Sequence, residues 1–312
     1  MESQKPKIAM YVKRPFGEKL NASFDFIKEN WKQLFKYSTY LILPICLIQA
    51  ANFSGLMGSM TDITAMQASG GISDNPLAAL GPSFALNYAG VIFFSCLGAL
   101  LMTSLIYAMV RLYNEREERL NGIVFGDIKS LLLRNIKRLF LMGIACSFLF
   151  IFAVIFIVLL AVLTPFTLIL TIPLLFAFMV PLALMAPIYL FEDISLGEAF
   201  AKTFRLGFAT WGGIFLILIV MGLIASVLQT IVSIPWYVIY IVKMIFTMSD
   251  GGATSSSVGL NFAQYLFSIL MLYGSYLSAI FSIVGLVYQY GHASEVVDSI
   301  TVESDIDNFD KL

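Results

Sequence analysis

Six stretches of this chain stay apolar for the length of a membrane crossing, at about 34–54, 86–110, 139–163, 166–190, 212–233 and 261–288. A helix needs about 20 such residues to cross the ~30 Å hydrocarbon core of a bilayer. In that solvent each backbone N–H and C=O must be paired within the protein, which leaves long runs of this kind one outcome, the transmembrane helix. The composition agrees, with 59% apolar and 12% charged residues and a mean hydropathy of +0.87. Soluble domains carry about 25% charged residues. A soluble globular domain, a disordered chain and a nucleic-acid binder are excluded.

The charges orient the spans. Of 19 Lys and Arg residues, eight lie at or before the start of the first span, seven in 111–138, two in 202–205 and one at Lys311. Only Lys243 falls on the other side. The positive-inside rule places both termini and the even-to-odd loops in the cytoplasm. The expected location is the bacterial cytoplasmic (inner) membrane, as a multi-pass protein. The first 33 residues are charged and amphipathic, too long for the n-region of a signal peptide, so no processing is expected at Ile48-Gln49-Ala50.

Pro235 is expected to break the long apolar segment 214–246, leaving Trp236, Tyr237, Tyr240 and Lys243 as an interfacial piece on the outer surface. The alternative is a seventh crossing, which would put the C-terminus outside. Residues 52–85, with Asp62 and Asp74, read as the one large outer loop, and Ser249 to Ser257 as a second, flexible one. Residues 291–312 read as an acidic cytoplasmic tail, with six acidic side chains between Glu295 and Asp310.

The chain also resembles itself. A shift of 180 residues sets Phe16-Gly17-Glu18 on Leu196-Gly197-Glu198, Phe24 on Phe204, Trp31 on Trp211 and Phe35 on Phe215. Another copy starts at Phe125-Gly126-Asp127 and, after four residues are dropped, sets Asn135 on Asn30, Lys137 on Lys32 and Phe140 on Phe35. In the first copy Leu20, Phe24, Ile27, Trp31, Leu34 and Phe35 recur at spacings of three and four, the period of one helix face. Phe200, Phe204, Phe208, Trp211 and Phe215 repeat that stripe, and Ile128, Leu131, Leu132, Ile136 and Leu139 form its counterpart. Such helices lie in the headgroup plane with the apolar face down. The expected fold is an all-α polytopic membrane protein, a single membrane domain over 1–312. It holds six transmembrane helices as three hairpins, each preceded by a cytoplasmic interfacial amphipathic helix. The threefold repeat units are about 16–112, 125–191 and 196–290.

Each copy opens on a glutamate or aspartate, and two carry a tryptophan, in Glu29-Asn30-Trp31-Lys32 and Ala209-Thr210-Trp211-Gly212. With the hairpin after each, this pattern resembles a broad group of bacterial six-helix integral membrane proteins. The group includes the membrane domain that precedes some glycerophosphodiester phosphodiesterases. The resemblance covers most of the chain, is architectural, and carries no catalytic residues. It implies a stand-alone version of that membrane part, since only 22 residues follow Tyr290.

Chemistry has few places to sit. The six apolar cores hold no ionisable residue, which disfavours an ion-coupled pump, a voltage sensor and an intramembrane protease. Cys46, Cys96 and Cys146 lie in apolar runs, and His292 is the only histidine, so neither a metal nor any other cofactor is expected. Glu18, Asp127 and Glu198 could serve a membrane-surface lipid or phosphodiester enzyme, or its accessory domain. Their place at three helix starts reads instead as capping, with Ser195 and Glu198 forming a capping box.

Two candidate sites remain. Lys28, Lys32, Arg134, Lys137 and Arg138 could hold anionic lipid headgroups, although positive-inside sorting alone accounts for their charge. Pro173 and Pro181 in the fourth span, and Ser275, Ser278 and Ser282 on one stripe of the sixth, could form either helix packing or a groove. The expected function is a non-catalytic protein organising lipid or protein partners at the cytoplasmic membrane. Its partners would be membrane lipids and a membrane protein or second copy, with no nucleic acid. The alternative is a transporter or permease for an apolar or lipid-like substrate.

Overall fold

A computed structural model describes residues 6–68, 81–249 and 258–301. The described residues form helices and no strand: α1 (Phe16–Ala68), α2 (Pro82–Glu115), α3 (Phe125–Leu163), α4 (Thr167–Leu182), α5 (Met185–Phe191), α6 (Leu196–Ala209), α7 (Trp211–Ser249) and α8 (Val258–Val297). Six segments are long and apolar enough to cross a membrane, with α4 and α5 together making one of them. The chain is a helical, multi-pass membrane protein.

The helices run further than the apolar stretches. At 53 residues and 1.5 Å per residue, α1 is ~80 Å long. It continues through 52–68, where the sequence suggested a loop. Asn52, Ser59 and Thr61 are accommodated within the helix, their side chains satisfied by the carbonyls of Ile48, Gly55 and Met57, one turn back. Asp74 and the side chain of Asp62 lie outside the described residues, as do residues 250–257 of the second expected loop.

Pro235 does not break α7, which runs through it to Ser249. A proline removes one backbone donor and crowds the preceding turn. Here the following turn is held by Trp236, stacked on Tyr240 at 5.2 Å and tilted against Phe53 at 5.4 Å. Residues 236–246 are therefore a helical continuation and not a separate interfacial piece. The segments from Phe16 and Phe125, expected to be amphipathic helices, are likewise continuous with the apolar helix that follows, in α1 and α3. Only α6 stands apart, ended by Thr210, whose hydroxyl returns to the Leu206 carbonyl.

The chain divides into two compact units. Unit 1 comprises 1–34, 103–223 and 280–312, and unit 2 comprises 35–102 and 224–279. Unit 2 consists of segments of α1, α2, α7 and α8. Its core includes Ile42, Cys46, Ala50, Leu56, Trp236 and Tyr276. A polar chain runs through it: Tyr276 donates to Gln49 Oε1 at 2.9 Å, and Gln49 Nε2 donates to Ser95 at 2.7 Å. Lys243, expected at the surface, is buried here and donates to Gln264 Oε1 at 3.0 Å.

Unit 1 packs around Phe26, whose ring meets Tyr113 edge-on at 5.1 Å and Tyr288 at 6.3 Å. Leu105, Ile106, Ile128, Ile188, Leu206, Ile217 and Val284 complete this core. The α3–α4 hairpin behaves differently. From 140 to 179 no residue is buried, and Phe148, Phe152, Leu163 and Phe166 are among its exposed side chains. A water-soluble surface does not carry an apolar patch of that extent, whereas a lipid-facing one does.

Two prolines set the local geometry of this hairpin's return. Pro181 lacks the N–H that would bond the carbonyl of Ala177, four residues back. That carbonyl instead accepts the indole N–H of Trp211 at 2.9 Å. Pro187 does the same to Ala183, and the helix is interrupted between Leu182 and Met185. Replacing Trp211 by phenylalanine keeps the ring but leaves the Ala177 carbonyl without its donor. The expected cost is about 1–2 kcal/mol, read as a lower midpoint in thermal unfolding of the detergent-solubilised protein.

Candidate functional site

The most highly charged part of unit 1 is built around the turn between α5 and α6. α5 is a short helix whose final carbonyls have no partner within it. Arg138, on α3, reaches across and donates from Nη2 to the carbonyls of Tyr189 (2.6 Å) and Ile194 (2.7 Å), with its guanidinium 3.9 Å from the Tyr189 ring centre. Arg111, at the end of α2, donates to the Leu190 carbonyl at 3.3 Å. Cations at a helix C-terminus complement its dipole as well as its free carbonyls.

Asp193 is the focus of the turn. Its φ of +57° lies in the left-handed region, uncommon for a residue with a side chain. Arg134 forms an ion pair with its carboxylate, Arg111 Nη2 lies 3.2 Å away, and Arg138 Nη1 lies 3.9 Å away. Glu115 takes the Nε of Arg111 at 2.8 Å. Three guanidiniums thus meet two carboxylates, one net positive charge. Burial first, and then the nearby Arg111 and Arg138, push the Arg134 guanidinium below its ordinary pKa. The neighbouring Glu192 is held by Lys202 at 2.7 Å and accepts from the Tyr290 hydroxyl at 2.8 Å. Lys202 and Arg205 also hold Asp298, each at 2.7 Å.

The five basic residues singled out in the sequence therefore separate into two groups. Arg134 and Arg138 are part of this clamp. Lys28, Lys32 and Lys137 are exposed and have no ion-pair partner among the described residues. Lys28 and Lys32 share α1 with the exposed side chains of Phe24 and Trp31, the latter 55% exposed. The opposite face of that helix is buried and mixed in character: Lys19, Ser23, Phe26, Asn30 and Leu34. One face of α1 is thus aromatic and basic and open, while the other is packed.

Of the proline and serine candidates, Pro181 and Ser278 are buried and the others are not. Pro181 is buried against Gly207 of α6, where a β-carbon would come within 2.5 Å of it, and Pro173 is exposed on α4. Ser278 is buried and returns its hydroxyl to the carbonyls of Gly274 and Ser275, while Ser275 and Ser282 are half-buried. Beside them Gly274 approaches Val232, and Gly285 approaches Met221 and Ile217, all on α7.

Two of the three acidic candidates are occupied at helix starts. Glu198 accepts from the backbone N–H and hydroxyl of Ser195 at 2.9 and 2.8 Å, which lowers its pKa, and its own N–H returns to Ser195. Asp127 accepts from the Val124 N–H at 3.1 Å and from Arg116 at 3.0 Å. Glu18 is exposed. Of the acidic tail, Glu295 is buried in α8 and accepts from Thr301, and Asp298 is the anchor already described. Residues 302–312 lie outside the described residues.

Sequence reasoning missed Asp193 and Glu192, whose signal was two adjacent acids in the four-residue link between α5 and α6. It also missed Lys19 and Gln289, buried polar residues that hydropathy patterning cannot separate from exposed ones. No protein-family model, curated protein or solved structure matches the chain.

Proposed function

We propose that this protein is a non-catalytic membrane protein that organises anionic lipid at the cytoplasmic face of the bacterial inner membrane. The observation that carries this reading is the open face of α1, where exposed Phe24 and Trp31 flank exposed Lys28 and Lys32, which have no ion-pair partner among the described residues. Aromatic rings settle at headgroup depth, and each lysine near an anionic surface contributes about 1 kcal/mol of attraction. The arginine clamp serves a different end. It fixes the α5–α6 turn, and with it the start of the third amphipathic segment.

The threefold repeat belongs to this proposal. Burial supports it beyond the residue matches. At the 180-residue shift, Lys19 and Ala199, Ser23 and Thr203, Phe26 and Leu206, and Leu34 and Ile214 are buried pairwise. Against the other copy, Asn30 and Asn135, and Leu34 and Leu139, are buried alike. Three copies of one interfacial helix, each leading into a hairpin, would present the same lipid-facing face three times. The resemblance to the membrane domain of glycerophosphodiester phosphodiesterases fits a lipid-handling part.

The test is charge reversal of the open lysines together, K28E/K32E/K137E, in full-length protein extracted gently from its membrane. Copurifying anionic phospholipid, measured by mass spectrometry per protein molecule, should fall about tenfold or more. Helical content and thermal midpoint should stay as in the parent. Unchanged lipid retention in the folded variant would sink the reading.

A further inference from the structure

Ahead of α1, residues 6–15 belong to no helix and lie as a strap along the end of α2 and the C-terminal part of α8, all within unit 1. Lys7 donates to the carbonyls of Asn114 and Arg116, where α2 ends, and the Ile8 N–H donates to the Tyr113 hydroxyl at 3.2 Å. Tyr11 meets the fully buried Tyr290 edge-on, with ring centres 5.9 Å apart. Met10 is buried, and its backbone is seated against Gly291 of α8. A β-carbon at Gly291 would stand 2.2 Å from the Met10 carbonyl oxygen, so only glycine allows that approach.

The end of the strap nearest α1 rests on one histidine. Arg14 donates its backbone N–H to His292 Nδ1 at 3.0 Å, one residue from the Gly291 seat. Only a neutral imidazole can accept there, with its own proton on Nε2, because a protonated ring carries N–H on both nitrogens. The charges that face the ring come from two other elements, Lys19 on α1 and Lys13 and Arg14 on the strap, and all three are cations. On α8 itself Glu295, three residues on, accepts from Thr301. Burial first, and then those three cations, push the His292 pKa from the ordinary 6.5 down to about 4. The ring is half-buried and lies beyond the apolar stretch 261–288, so a proton from solution can reach it.

We infer that this strap is a pH-sensitive latch, closed on neutral His292 and released when the ring is protonated. Protonation sets a donor against the Arg14 donor and adds a fourth positive charge to those of Lys13, Arg14 and Lys19. Both effects push the strap away from α8. A group held below its ordinary pKa favours the closed form fully above pH 6.5, and progressively less as pH falls towards 4. Release bares Tyr290 and frees Lys7 from the end of α2 and Arg14 from the Tyr288 ring. The latch involves none of the exposed lysines and does not rest on their role at the lipid surface.

The experiment uses full-length protein in detergent, with Cys96 and Cys146 replaced by alanine and a nitroxide label on V12C, an exposed strap position. Electron paramagnetic resonance spectra between pH 7.5 and 4 separate mobile from immobile label, and circular dichroism follows the helices in the same samples. With His292 present, the ratio of mobile to immobile label should rise about 30-fold by pH 5 and about 100-fold by pH 4, reversibly. In His292→Asn, whose amide oxygen can accept near the Nδ1 position but does not titrate, the profile should be flat. In Gly291→Ala the label should already be mobile at pH 7.5, since the atom it displaces is backbone. An unchanged spectrum down to pH 5 with His292 present overturns the inference. So does an acid response that persists in His292→Asn, which would assign it to carboxylates such as Glu192, or an immobile label in folded Gly291→Ala. Should Gly291→Ala not fold, the comparison of His292 with His292→Asn decides alone.

Discussion

Gly207→Ala should destabilise the detergent-solubilised protein by about 1–3 kcal/mol, the range for forcing a methyl group into a filled space. The new β-carbon would sit 2.5 Å from Pro181 Cβ and 2.8 Å from Pro181 Cα. The second of these is backbone, and a proline ring is too stiff to turn aside. α6 would have to move off α4, which also weakens the Trp211 bond to the Ala177 carbonyl. Gly212→Ala is the matched control. Nothing lies within 4 Å of its β-position, and alanine in a helix gains about 0.5–1 kcal/mol over glycine. The thermal midpoint should fall for the first and hold or rise for the second. Equal midpoints would mean that α4 and α6 do not pack at this point.

Asp193→Ala should be nearly as damaging, at about 1–3 kcal/mol, for an electrostatic reason. It removes the carboxylate shared by Arg134, Arg111 and Arg138 and leaves three guanidiniums with only Glu115 among them. Repulsion among them then acts where attraction did. Asp193 is 38% exposed, so salt should soften the effect. The difference in midpoint between wild type and variant should shrink as sodium chloride is raised from low to near-molar concentration. A salt-independent difference would show that the carboxylate acts through the backbone conformation of the turn instead. Asp193→Asn tests that directly, since asparagine tolerates the left-handed region while losing the charge.

The crossings were legible because hydropathy over twenty residues is a property of the solvent alone. Each of the six apolar stretches falls on helix, the fourth interrupted between Leu182 and Met185. The helix starts at Phe16, Phe125 and Leu196 were legible too, the last as a capping box, but the places where helices stop were not. At Pro235 the local rule said stop, but the helix runs on, with Trp236 stacked on Tyr240 one turn later and tilted against Phe53, a residue no linear pattern brings near it. At 52–68 polar residues were taken for a loop, but asparagine, serine and threonine can bond back to their own helix and stay within it. The basic residues were found, and their division was not. Whether Arg134 or Lys137 faces a carboxylate depends on where the α5–α6 turn comes to rest, and nothing in the spacing along α3 encodes that. Lys19 lies just before Leu20, at the head of the apolar stripe of the first copy, and nothing in that spacing marks it as a core position. It is buried on the face that carries Phe26 and Asn30.

The bare hairpin of α3 and α4 has a bearing on how much information its sequence holds. With no buried residue from 140 to 179, most of those positions face outward, and few have a neighbour whose shape they must match. Leucine, isoleucine, valine and phenylalanine are then nearly synonymous there, because lipid tails adapt to any of them. Specificity resumes abruptly at Val180 and Pro181, where side chains become buried again. The chain therefore alternates between two kinds of text. One part is read only by the bilayer, as an average. The other is read by the protein itself, letter by letter, and begins where the hairpin returns to Gly207 and the arginines.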